Sequence, residues 1–219
     1  MTGMARRISL STLPEVVPIF PLTGALLLPR SKLPLNIFEP RYLAMFDDAL
    51  RSDHRIIGMV QPRGEGSSPP LYKIGCAGRI TSFSETDDGR YLIALTGILR
   101  FRIIEEIDGF TPFRRVRVDW SSFGEDLETP SAEELSEDRD LFLHLLKRYF
   151  DATQLSADWE ALSQADDETL VNAISMLCPF EPQEKQALLE APTLTERKRD
   201  LRALMEFVVA SPEGDGDIQ

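Results

Sequence analysis

The sequence predicts an α+β protein: a small β pseudo-barrel with one inserted helix, followed by an α-helical bundle. Three observations lead there. Short runs rich in β-branched and aromatic residues fill the first half, separated by glycine and proline. One helical pattern headed by proline interrupts them early. After Pro130 the apolar residues take helical spacing and keep it nearly to the end. The expected division is a disordered tail over 1–13, a barrel over 14–124, a helical subdomain over 131–210 and a disordered tail over 211–219.

The barrel is organised around Val16 to Tyr42, VVPIFPLTGALLLPRSKLPLNIFEPRY. Val17, Ile19, Phe20 and Leu22, then Leu33, Leu35, Ile37 and Phe38, suit extended chain. Pro18, Pro21, Pro29 and Pro34 exclude a helix interior but are tolerated at strand ends, edges and bulges. Glu39-Pro40 then changes the period. Proline at the first helical position loses nothing by lacking an N–H, and Tyr42, Phe46, Ala49 and Leu50 give the helix its buried stripe.

Arg55 to Val60 reads as a buried strand, and Gln61 to Pro70 as a surface loop. Within that loop GEGSS lacks the spacing and the lysine of a phosphate cradle. Gly75 to Glu85 and Tyr91 to Ile104 form a hairpin about Asp87-Asp88-Gly89. The second strand is long, and Thr96-Gly97 is the place for a bulge or bend. Alternation over Phe113 to Trp120 adds another strand, for six or seven in all. A meander whose central strand bends is what a small closed or nearly closed barrel requires.

In the helical half, Ser131 to Glu134 has the pattern of a capping box, and a helix runs from it to about Phe150. Ser156 to Leu162 makes a short turn carrying Trp159. Asp166 or Asp167 caps a helix bearing Leu170, Ile174, Leu177 and Cys178, with Pro179 just past its end. Pro182 starts the next helix, and Thr193 to Glu196 is a second capping box. Four or five helices result, each with a stripe that a neighbour must bury.

Composition narrows the function. The net charge of −12, from 36 acidic and 24 basic residues, disfavours nucleic acid as the main partner, because duplex binding draws on phosphate neutralisation. No run approaches the roughly 20 apolar residues of a membrane helix. Arg6-Arg7 faintly suggests an export signal, but Pro14, Pro18 and Pro21 break the apolar helix that such a signal needs. Cys76 and Cys178 are far apart in apolar surroundings, which predicts free buried thiols and a cytoplasmic location. His54 and His144, the only histidines, have no metal-ligand spacing to a cysteine or to each other, so neither a metal nor a cofactor is expected.

Two surfaces are candidates for binding. Leu26, Leu27 and Leu28 cannot all point inward from an extended chain, whose side chains alternate. At least one is therefore expected to be exposed or to meet a partner, with Arg41 and Tyr42 bordering the same groove. The other candidate is an arginine face built from Arg100, Arg102, Arg115 and Arg117, with Arg114 beside them. It would take RNA or a small anion unless Glu105, Glu106 and Asp119 pair with it.

IFPLTGALLLP followed by LPLNIFEPRYLAMF resembles the amino-terminal, substrate-binding domain of the Lon family of ATP-dependent proteases. Ile74-Gly75-Cys76-Ala77-Gly78-Arg79-Ile80, Leu95-Thr96-Gly97-Ile98-Leu99-Arg100-Phe101 and PFEPQEKQALLEAPTLTER extend the resemblance over Val16 to Val209. It implies a PUA-like pseudo-barrel with a helical bundle, as in stand-alone members of the family. It also implies a non-enzymatic protein-interaction module that binds exposed hydrophobic segments of client proteins, with a protease as a potential recipient. A full Lon protease needs a phosphate-binding loop and a Ser-Lys pair in further domains, and neither is expected here. Where relatives often carry glycine between Pro29 and Leu33, this chain has Arg30-Ser31-Lys32.

Overall fold

The computed structural model describes residues 9–66, 68–128 and 138–210, and the chain divides into two units, 1–129 and 130–219. The expected capping box at Ser131 to Glu134, residues 1–8 and the tail 211–219 lie outside the described residues. Of the expected amino-terminal tail, Leu10–Thr12 forms a 3₁₀ turn, and Leu13 packs against the barrel core.

The first unit holds β1 (Val16–Pro21), β2 (Lys32–Ile37), α1 (Pro40–Arg51), β3 (Ile56–Val60), β4 (Ile74–Glu85), β5 (Tyr91–Glu106) and β6 (Arg115–Asp119). The strand order is β2-β5-β4-β3-β1-β6, with β6 also pairing β5. Strands β5, β4, β3, β1 and β6 thus close on one another as a partial, non-ideal barrel, and β2 is an additional strand outside that ring. β1 and β3 run parallel, and the other pairs are antiparallel.

Besides its long pairing with β4 on one side, β5 serves two neighbours on the other. Residues Tyr91 to Thr96 pair with β2, and Arg102 to Glu106 pair with β6. The bend expected at Thr96-Gly97 is realised one residue later: Gly78 pairs with Gly97 and Ala77 with Leu99, leaving Ile98 as the extra residue of a bulge. The barrel interior is filled by residues including Val17, Ile19, Leu99, Phe101, Val116 and Trp120, with the Phe101 and Trp120 rings edge to face at 5.7 Å.

α1 begins at Pro40 as its sequence requires, and buries Tyr42, Met45, Phe46 and Ala49. Met45 takes the place expected for Leu50, because the stripe continues three residues on from Tyr42 instead of eight. Phe46 meets Phe83 of β4 and Tyr91 of β5 at ring separations of 5.5 and 4.8 Å.

The barrel unit does not stop at Gly124. A 3₁₀ segment, Ser121–Leu127, follows β6, and Asp126 within it is buried against Arg100. That ion pair carries the unit past the expected boundary.

The second unit contains α2 (Arg139–Ala152), α3 (Trp159–Gln164), α4 (Asp167–Leu177), α5 (Pro182–Glu190) and α6 (Leu194–Ala210). Its core includes Phe142, Leu146, Tyr149, Ile174, Leu188 and Leu201. Asp166 caps α4 by accepting from the Thr169 N–H at 2.8 Å. Thr193 and Glu196 close a reciprocal box at the start of α6, each backbone N–H donating to the other's side chain at 3.2 Å. Cys178 lies just beyond α4 as its cap, not on the helix, and both cysteines are free and buried. Among the described residues no helix is long and apolar enough to cross a membrane, and no cluster of His, Cys, Asp and Glu could hold a metal ion.

Candidate functional site

The barrel unit carries an open groove of about 610 Å³. Its floor and walls come from the end of β1 and the turn after it (Phe20 to Thr23), from β2 and its exit (Pro34 to Phe38), and from the first turn of α1. The loop carrying Pro62 to Pro69 and the segment Pro112 to Arg114 complete it. Hydrogen bonds fix the turn and loop that border it. The turn at Thr23-Gly24 places Gly24 at φ +73°, and its N–H donates to the buried Gln61 side chain at 3.1 Å. The loop is pinched at its base, where the Arg63 N–H donates to the Pro70 carbonyl and the Tyr72 N–H to the Gln61 carbonyl. Arg114 then ties loop to strand, donating to the Pro69 carbonyl at 2.9 Å while pairing with Glu106.

The wall is aromatic. Tyr42 stacks on Phe20 with ring centroids 4.1 Å apart, and the Arg41 guanidinium lies 4.5 Å over the Tyr42 ring. Burial pushes the Tyr42 phenol above its ordinary pKa, against the opposing pull of Arg41, so the ring stays neutral. Arg41 is itself anchored to Glu39 at 2.8 Å. Phe38 stands at the rim, 58% exposed, with Arg90 5.6 Å from its ring centre.

Arg41 and Tyr42 therefore border a groove, but Leu26, Leu27 and Leu28 do not line it. Contrary to expectation all three are buried, at 2%, 1% and 0% exposure. Alternation leaves a side chain outside only where a strand has a solvent face, and the structure gives these three none. Residues 25–28 form irregular extended chain that crosses the sheet where Gly78 and Gly97 pair. A Cβ on Gly78 would stand 2.8 Å from the Leu27 side chain, and one on Gly97 would stand 2.0 Å from the Leu28 carbonyl oxygen. The two glycines make a notch into which the leucines fit. Arg30 follows at φ +63°, the left-handed conformation that glycine takes most readily, and its guanidinium donates to the Asp126 carbonyl.

The arginine face also resolves differently. Arg100 is 3% exposed and cannot greet an anion, because Asp126 accepts from its Nη2 at 2.8 Å, and from its Nε and backbone N–H at 2.9 Å. The Phe123 ring lies 4.3 Å from the guanidinium. Arg117 pairs with Glu105 and Glu15, and Arg114 with Glu106. Asp119 instead accepts from Ser121 and Ser122. Arg115 is half-buried and Arg102 exposed, so the four do not form one basic patch.

Phe20, Leu22, Leu35 and Phe38 belong to the groove but not to the site read from sequence. Their prolines and apolar runs announced strands, and nothing in that pattern said which faces would be left uncovered.

The model of the family described as the ATP-dependent protease La (LON) substrate-binding domain matches residues 16–206. Lon protease 2 of Myxococcus xanthus is 29% identical over 209 residues, covering 90% of this chain and 23% of that protein. Lon protease 2 of Thermus thermophilus is 26% identical over 212 residues, covering 94% of this chain and 26% of that protein. The chain thus spans about a quarter of the length of these relatives. Among solved structures, a Lon N-terminal domain protein from Xanthomonas campestris superposes with a TM-score of 0.62 at 24% identity, over 86% of this chain and 97% of that one. The N-terminal domain of a Mycobacterium avium complex Lon protease does so with 0.64 at 20%, over 87% and 98%. These two share its fold. A family match over nearly the whole chain, together with a pseudo-barrel and helical unit of the same architecture, shows that the protein belongs to the Lon substrate-binding domain family.

Proposed function

We propose that the protein is a non-enzymatic recognition module that holds exposed apolar segments of client polypeptides in the groove beside the barrel. One observation carries this reading: a 610 Å³ groove walled by Phe20, Leu22, Leu35 and Tyr42, with Phe38 projecting at its rim. Apolar walls with a few fixed polar groups are the usual build of a binding site. The guanidinium of Arg41 and the neutral Tyr42 phenol supply those polar groups. The family's description as a substrate-binding domain points the same way, and a protease that receives the clients is the implied partner. Two free, buried thiols suit a cytoplasmic setting.

The test is binding of fluorescein-labelled, reduced and carboxymethylated α-lactalbumin, a permanently unfolded chain, read by anisotropy. Phe38→Ser removes an exposed ring without opening the core, and should weaken binding about tenfold, or about 1.4 kcal/mol. Tyr42→Ala should weaken it at least as much, with thermal melting to confirm the fold. Wild-type affinity in both variants would overturn the reading.

A further inference from the structure

One side of the groove is main chain. β2 stands at the end of the strand order and, among the described residues, pairs only with β5. The Gly97 N–H donates to the Ser31 carbonyl at 2.9 Å, which fixes the phase of the ladder. Counting in twos from that pair, Leu33, Leu35 and Ile37 exchange hydrogen bonds with Leu95, Ile93 and Tyr91. Lys32, Pro34 and Asn36 then turn their main-chain groups away from β5. Pro34 fits this phase, since its missing N–H is never asked of the β2–β5 ladder.

That outer edge lies in the groove. Pro34, Leu35, Asn36, Ile37 and Phe38, five consecutive residues, all line it. Successive side chains of a strand point to opposite faces, so consecutive residues share one cavity only along the strand's edge.

We propose that a client segment enters the groove in extended form and adds to β2 as a further strand. This rests on the groove reading above and specifies the conformation in which the client is held. A segment running parallel to β2 brackets Leu35, donating an N–H to the Pro34 carbonyl and accepting from the Asn36 N–H. At that position it needs nothing from the Pro34 nitrogen, and an antiparallel segment avoids the same missing donor by pairing with Asn36 rather than with Pro34. Alternate side chains of the client meet Phe20, Leu22 and Tyr42. A helical client has its main-chain groups bonded internally and could not use this edge. The partner is therefore an extended stretch with an apolar residue at every second position, recognised through its backbone more than its sequence.

Two measurements test this with the full chain. Asn36→Pro deletes the edge donor, and Asn36→Ala changes the side chain alone. Binding of the unfolded α-lactalbumin should be about tenfold weaker in the proline variant than in the alanine one. The second measurement needs no variant. A fluorescein-labelled decapeptide alternating valine and threonine is N-methylated either at all its valines or at all its threonines, and only the set facing β2 should lose binding. If the unfolded chain binds but the two Asn36 variants match, or the two methylated peptides match, strand addition is overturned and the groove reading stands. If neither the unfolded chain nor the unmethylated peptide binds, both fall together.

Discussion

Arg100 and Asp126 set the hardest constraint at the scale of single residues. Their pair is buried on both sides, with the carboxylate accepting from one arginine's side chain and backbone together. Removing either partner leaves an uncompensated charge in the interior, which costs about 3–5 kcal/mol. Arg100→Ala and Asp126→Ala should each lower the stability measured by urea unfolding by that much, and the double variant should cost less than the sum. A sequence shows an arginine on a strand but not the aspartate 26 residues on that neutralises it. The same limit hid the fate of Leu26 to Leu28. Their burial depends on a glycine in each of two other strands, and only the register brings Gly78 and Gly97 together.

Helix ends and strand runs were the most legible of the elements, because their signals are local. Pro40, Asp166, Pro182 and the Thr193 box each stand where a helix starts. Asp166 shows what such a residue contributes. Its carboxyl is held below its ordinary pKa, first by the Thr169 backbone N–H, so the folded form favours the charged state. The stabilisation is present above the ordinary carboxylate pKa of about 3.9, and is lost as pH falls through the lowered value. Asp166→Ala should cost about 1 kcal/mol at neutral pH by thermal melting, and correspondingly less in acid. The groove was not legible in this way. Its walls come from separate stretches of chain, and each reads as ordinary strand, helix or loop until the sheet order brings them together.

Considered whole, the molecule is two units with separate interiors. Residues 130–219 bury Phe142, Leu146, Tyr149, Ile174, Leu188, Leu201 and Met205, with Arg197 bonded to Asn172 at 2.9 Å and to the Leu188 carbonyl. A stripe on every helix but the short α3, closed by its own polar network, is the mark of a unit that folds alone. Expressed by itself, 130–219 should give a helical circular dichroism spectrum and a single cooperative melt. A non-cooperative transition would show that its core is incomplete. The change in periodicity near Pro130 made this division visible in the sequence, and the family match runs across both units.

The divided loyalty of β5 has a consequence for how such a domain can change. Because β6 closes the ring along one half of that strand and β2 rides on the other, the closure and the docking edge are separable inheritances. Substitutions, insertions or a new turn in the arm could retune what is captured while the roll behind it stays shut.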